Sequence, residues 1–278
     1  MVRIVVDSGC DLSDEVRQLC GTEIESVALT LRLDSQEYQD DDSLDIDAYL
    51  AAMATSKNAA ASAAPSPQDF LDAYTGEESV FAITLSSKLS GTFNSAMLAR
   101  KLYLEKIGQK FIHVFDSLSA SSGETLIALK IGELLRAEHP EAEIVERVKG
   151  YIANLKTYFL LERFDSIVKS GRMPAAVAVV ASLLNIKPIC AGVAGEMKMV
   201  GKARGYRKAV AKLIDMMLAE KLDFEQRILG ISHCKCLQKA EELRDEIMAR
   251  VPFKQAMIME TTGLCSTYAN RDGVVIAY

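Results

Sequence analysis

No apolar run in this sequence is long enough to cross a bilayer. The longest, Ala175 to Leu184 broken only by Ser182, is about half the ~20 residues that a span requires. The opening MVRIVVDSG lacks the basic segment, apolar stretch and small-residue cleavage site of a secretory signal, so a cytoplasmic location is expected. Positive charge is in deficit: the net charge is -6, against the basic clusters that nucleic acid binding requires. The six cysteines (10, 20, 190, 234, 236 and 265) are scattered, and a chain of 278 residues needs no disulfide staples, so they read as reduced, buried thiols. Neither a GxxxxGK[ST] loop nor a GxGxxG fingerprint is present, which leaves nucleotide binding without support. The chain also has only three histidines, and none stands where a catalytic serine needs its base: His113 lies inside an apolar run, His139 beside Pro140, and His233 in the other half. His233-Cys234-Lys235-Cys236 offers thiolates and imidazole but no second ligand pair, so no zinc site is expected.

A hydrophobic fraction of 49% with 25% charged residues is that of an ordinary globular protein with a sizeable core. Val2 to Val6, Val80 to Leu85 and Phe111 to Phe115 are short β-branched or aromatic runs, each followed by polar turn residues and a helical pattern. They read as parallel strands of an α/β layer. Helices are expected after Ser13 to about Cys20, at Asp45 to Ala54, Thr92 to Lys106, Ser119 to Ala137 and Glu141 to Leu155. Ile24 to Leu33 reads as one extended segment, and Lys57 to Pro67 as a loop. From Thr157 the pattern changes. Ile186 to Ala191 and Lys198 to Lys202 read as a hairpin around Gly195, helices follow at Tyr206 to Lys221 and Leu237 to Arg250, and strands at Arg227 to Ser232, Gln255 to Glu260 and Val274 to Tyr278. Two domains are therefore expected: a parallel-sheet α/β domain over 1–156 and a mixed or antiparallel α/β domain over 157–278.

Three presumed parallel strands end in hydroxyl-bearing turns, at Asp7-Ser8, Ser86-Ser87 and Asp116-Ser117. Ligands of open α/β sheets sit beyond the carboxyl ends of the strands, so these hydroxyls should converge on an anion, unless they serve only as turn formers and helix caps. Ser90-Gly91-Thr92 permits close backbone approach to a ligand. Lys202 and Arg204 close the hairpin, where an arginine turned into an interdomain cleft would supply countercharge. Ala175 to Leu184 is apolar all round, as a buried helix is, and serves either as core or as the wall of an apolar slot.

In combination these segments resemble the DegV family. Asp7-Ser8-Gly9-Cys10-Asp11-Leu12 is similar to its D-S-x-x-D-L/I, and Leu85 to Thr92 matches L-S-S-x-L-S-G-T throughout. Ser170-Gly171-Arg172 stands where the family has G-G-R-I, Leu183 to Ile189 resembles L-L-N-I-K-P-I/L, and Gly201 to Gly205 with Lys208-Ala209 fits G-K-x-R-G and K-A. The resemblance implies an N-terminal three-layer domain and a fatty acid held between domains, served to the ATP-binding subunit of a fatty acid kinase. No other cofactor is implied. It places the carboxylate on Ser62, whose loop reads Ser62-Ala63-Ala64-Pro65 against T-S-Q-P, and on Ser86 or Ser87. Arg204 matches an arginine implicated in kinase-dependent phosphorylation of the acyl carboxylate. Where many members carry T-H-V-G-P-G, this chain has Thr267 to Asp272 without a histidine; Tyr268 falls opposite it, with Asn270 the alternative. A transferase or hydrolase working through Asp7, Asp116 and the serines, and a lipid-responsive sensor, are the rival readings.

Overall fold

A computed structural model describes residues 2–278. The first half runs β1 (Val2–Asp7), α1 (Asp14–Cys20), β2 (Glu23–Val27), β3 (Thr30–Leu33), β4 (Gln36–Gln39), α2 (Ile46–Thr55), β5 (Ala61–Ala63), α3 (Pro67–Ala73), β6 (Ser79–Thr84), α4 (Thr92–Lys106), β7 (Ile112–Asp116), α5 (Ser122–Arg136) and α6 (Glu141–Asn154). The second runs β8 (Thr157–Leu160), α7 (Asp165–Lys169), α8 (Ala175–Ser182), β9 (Ile186–Val193), β10 (Glu196–Arg204), α9 (Tyr206–Ala219), β11 (Ile228–His233), α10 (Leu237–Met248), β12 (Gln255–Glu260), α11 (Gly263–Ala269) and β13 (Val274–Ala277). Local chemistry sets several boundaries. The Ser13 hydroxyl accepts the Val16 N–H at the start of α1, and Ser66 and Asp69 form a reciprocal capping box around Pro67 at the start of α3.

Strands β2-β1-β6-β7 form a parallel sheet and β10-β9-β8-β13-β11-β12 a mixed one, in which only β11 and β12 run parallel. The fold is thus α/β with one parallel and one mixed sheet, as expected. A third, antiparallel sheet, β4-β3-β5, departs from the sequence reading twice. The expected single segment Ile24 to Leu33 divides between two sheets, because the Leu29 N–H turns away to the Ser8 hydroxyl (3.0 Å). The expected loop Lys57 to Pro67 contains β5, whose residues Ala61 to Ala63 pair with β3; a three-residue strand has no periodicity to read.

Helix α5 lies between the two large sheets and is buried at eleven of its fifteen positions. One apolar cluster therefore runs from Ile4 and Phe81 through Ile127 to Met257 and Ala277. The close approach of α5 to α1 depends on Gly132, where a Cβ would come within 2.5 Å of the Cys20 carbonyl oxygen and 2.6 Å of its Cα. Backbone cannot yield as a side chain can. Gly132→Ala should destabilise the protein by roughly 1–3 kcal/mol in urea denaturation, although helix propensity alone favours alanine by ~1 kcal/mol. A neutral or stabilising result would show that α1 can shift without cost.

The apolar helix expected to be buried is not. In α8 only Val177 is buried, while Val179 is 64% exposed and Leu184, just beyond it, 84%. Two turns of helix resting on β9 and α7 bury only Val177, so an all-round apolar pattern ends at the surface. All six cysteines are free thiols, and five are buried. No helix among the described residues is long and apolar enough to cross a membrane.

Candidate ligand-binding site

The turn after β6 is aimed by a buried carboxylate. Asp7, at the end of β1, accepts the Leu85 N–H (2.7 Å) and the Gly9 N–H (2.8 Å), so the neighbouring strand ends are tied to each other. Asp116, at the end of β7, accepts the Ser87 and Leu118 N–H groups at 3.0 and 3.2 Å. The strand-end hydroxyls expected to converge on an anion are occupied in the same bracing. Ser8 takes the Leu29 N–H, Ser86 donates to the Gly195 carbonyl (2.8 Å), and Ser117 donates to the Ser119 carbonyl (3.1 Å).

Above these turns is a cavity with about 550 Å³ not filled by protein atoms, part of it open to solvent. All three sheets contribute to it: Ser62 from β5, Leu85 and Leu89 after β6, Phe159 from β8, Met197 from β10 and Val275 from β13. Helix α11 adds Leu264, Cys265, Tyr268 and Ala269. The walls are mostly aliphatic and aromatic. Burial pushes the Cys265 thiol well above its usual range, so it is a neutral wall atom and not a thiolate.

Apart from Ser121, one polar cluster interrupts the apolar lining. The Tyr268 hydroxyl is 2.8 Å from the Ser62 hydroxyl, and Arg172 donates to that same tyrosine oxygen from Nη1 at 2.8 Å. Arg172 Nε donates to the Leu89 carbonyl at 2.7 Å, and the guanidinium carbon stands 4.9 Å from the centre of the Tyr268 ring. Arg172 is thereby fixed between the turn after β6, the loop before α8 and helix α11. It is the single cation among the lining residues. A planar fork of donors beside two hydroxyls matches a carboxylate or another small oxyanion.

Of the six residues singled out from the sequence, the structure brings Ser62 and Tyr268 together at this cavity. Ser86 is fully buried with its hydroxyl on Gly195, and Ser87 is beside Asp116; neither lines the cavity. Arg204 is exposed at the end of β10, the edge strand of its sheet, and does not line this cavity. Asn270 ends α11 with φ 58° and lines a separate groove with Lys57, Arg163 and Arg271. The cation that the structure places at this cavity is Arg172. It lies within Ser170-Gly171-Arg172, where nothing local marks it among the cations of the chain as the one that reaches the cavity.

Comparison with known proteins agrees with this architecture. The family model described as "Uncharacterised protein, DegV family" matches residues 1–278. A DegV domain-containing protein of Streptococcus pyogenes serotype M1 is 35% identical over 277 residues, covering 99% of this chain and 98% of the relative. Among solved structures, a DegV family protein from Ruminococcus gnavus refined with vaccenic acid superimposes with a TM-score of 0.94 at 36% identity, covering 100% of this chain and 99% of the other. The Streptococcus pneumoniae Fatty Acid Kinase (Fak) B3 protein loaded with linoleic acid gives 0.92 at 32% identity, with the same coverage. Agreement in sequence and in fold along the whole length leaves one assignment: the chain belongs to the DegV family.

Proposed function

We propose that this protein is a fatty acid carrier of the cytoplasm, organised as units 1–156 and 157–278, that encloses an acyl chain at their seam and presents its carboxylate to a fatty acid kinase. The observation that carries this reading is the single guanidinium of Arg172, hydrogen-bonded to Tyr268 and set beside Ser62, in a mostly apolar cavity. The tail and the head divide the work. Burying about fifteen methylenes at ~0.8 kcal/mol each yields roughly 12 kcal/mol gross, before the costs of ordering and association. A buried carboxylate without a partner would forfeit several kcal/mol, so Arg172, Tyr268 and Ser62 select the acid over neutral lipids. Ser86 and Ser87 act one step back, by holding the turn that carries Leu85 and Leu89.

The relatives that carry vaccenic and linoleic acid support the ligand class. The likeness to the Fak B3 protein supports a kinase partner, for which exposed Arg204 at the end of β10 is an available contact. The head-group cluster contains no base beside a nucleophile, so turnover at the carboxylate belongs to the partner. Native mass spectrometry of the protein purified from its source tests the proposal: one fatty acid per chain is expected. In titration of the emptied protein, a long-chain acid should bind at least tenfold more tightly than the alcohol of equal length. An empty protein that shows no preference between the two would remove the carrier reading.

A further inference from the structure

Ser121 stands in a backbone conformation that side-chain-bearing residues adopt only under strain, with φ 61° and ψ -131°. It lies between the end of β7 and the first residue of α5 and lines the acyl cavity beside Cys265. Two contacts hold it in place. Its N–H donates to the Gly9 carbonyl at 2.9 Å, and its hydroxyl donates to the carboxylate of Asp11. Asp11 is fully buried and is itself oriented by the Thr262 N–H, 2.9 Å from its other oxygen.

The residues around Ser121 read Ser119-Ala120-Ser121-Ser122-Gly123, small at two positions before the strained serine and glycine two after it. The turn folds so tightly on itself that a Cβ at Gly123 would come within 1.9 Å of the Ser119 hydroxyl oxygen. A strained serine on a strand-to-helix turn, flanked by small residues so that the chain can close, is the backbone geometry of a nucleophile turn at the head of a helix, here closed off from bulk solvent. Here the acceptor beside the hydroxyl is a carboxylate where such sites usually have an imidazole. Neither Ser121 nor Asp11 takes part in the head-group cluster.

We propose that Ser121 and Asp11 form a nucleophile and base pair for acyl transfer, acting on esters whose acyl chain occupies the cavity. The Asp11 carboxylate takes the hydroxyl proton as Ser121 Oγ bonds to the ester carbonyl carbon. The bond from that carbon to the leaving oxygen breaks, and Asp11 returns the proton to the departing alcohol. Water, deprotonated by Asp11 in turn, attacks the acyl-serine and releases the fatty acid with the Ser121 hydroxyl restored. The Ser122 N–H, first of the fifteen-residue α5, follows the nucleophile directly, where donors to an oxyanion are needed. Burial holds the Asp11 carboxyl above the usual carboxylate range, which makes it a stronger base than an exposed aspartate.

This activity shares with the carrier reading only the acyl-filled cavity, and the two fail separately, because native mass spectrometry reads bound fatty acid while the following assays read Ser121. The emptied full-length protein would be treated with an alkyl fluorophosphonate and, separately, with p-nitrophenyl octanoate. One phosphonyl adduct per chain, mapped to the peptide carrying Ser121, is expected, with ester hydrolysis at least tenfold faster than in Ser121→Gly or Asp11→Asn. Ser121→Gly is the informative variant, since glycine adopts this φ and ψ without strain and the fold is retained, as circular dichroism and thermal melting would report. An unlabelled Ser121, or wild-type hydrolysis no faster than that of Ser121→Gly, would overturn the proposal.

Discussion

Replacing Arg172 with methionine is expected to weaken fatty acid binding roughly a hundredfold while leaving the alcohol of equal chain length nearly unaffected. Methionine preserves much of the aliphatic stem that packs over Tyr268 but removes the charge and the donors to Tyr268 and the Leu89 carbonyl. Leaving one member of a buried ion pair without its partner costs ~3–5 kcal/mol, and the lower end applies because Arg172 is only partly buried. Arg172→Lys should fall between the two, because an ammonium is a point donor and cannot hold the carbonyl and the hydroxyl in one plane. Displacement of a fluorescent acyl probe by the acid and by the alcohol measures both affinities. Equal losses for the two ligands would mean that Arg172 supports the cavity wall and does not read the head group; a thermal melt of each variant separates that outcome from unfolding.

The second large effect concerns stability and pH. Glu124, in the first turn of α5, is fully buried beside the Asp7 carboxylate, with no cationic partner among the described residues. Burial first, then the nearby charges of Asp7 and Asp11, holds its carboxyl well above the usual range. A carboxyl raised in the folded state binds a proton that the unfolded chain has released. Stability is therefore fully present below the unfolded value and falls by about 1.4 kcal/mol per pH unit above it, for as long as folded Glu124 keeps its proton. Asp7 and Asp40, each pushed by burial from 3.8 up to about 6, act in the same direction between those two values. Burial lowers His113 from 6.5 to about 4, which opposes them across that lower window by favouring the folded state as pH rises.

The test therefore belongs above pH 6.5, where histidine is mostly neutral in both states. Urea denaturation should show wild-type stability declining from pH 6.5 to 8.5. Glu124→Gln, with a side chain of similar shape and no charge at any pH, should flatten the decline and exceed the wild type by roughly 1–3 kcal/mol at pH 8. Parallel profiles for the two proteins would indicate that Glu124 is paired or hydrated in the folded state.

Much of the fold was legible because its signals are local. The helix expected at Thr92 to Lys106 and the strand expected at Gln255 to Glu260 are found with those bounds, and the hairpin around Gly195 is present with longer arms. Period, capping hydroxyls and turn residues all act within a few positions of one another, so they survive in the order of the amino acids. Strand β5 is the counterexample. Ala61 to Ala63 becomes a strand only because β3 is available to pair with it, and that strand is recruited when Leu29 departs to Ser8.

The site divides along the same line. Ser62 and Tyr268 were both read from the chain, 206 positions apart, yet nothing in either segment states that their hydroxyls would come within 2.8 Å of each other. Arg204 ends a strand, but β10 is the edge of its sheet and the arginine is exposed there. Arg172 closes the polar cluster because the loop between α7 and α8 passes over Leu89, a contact between residues 83 positions apart. By itself the sequence determined the longer helices and the strands with a clear period, that the core is apolar and of α/β type, and that a cation and hydroxyls were available for an anion. Only the tertiary structure decided which cation, which hydroxyls and which apolar faces would be enclosed, because desolvation and charge pairing depend on distances that long-range packing alone sets.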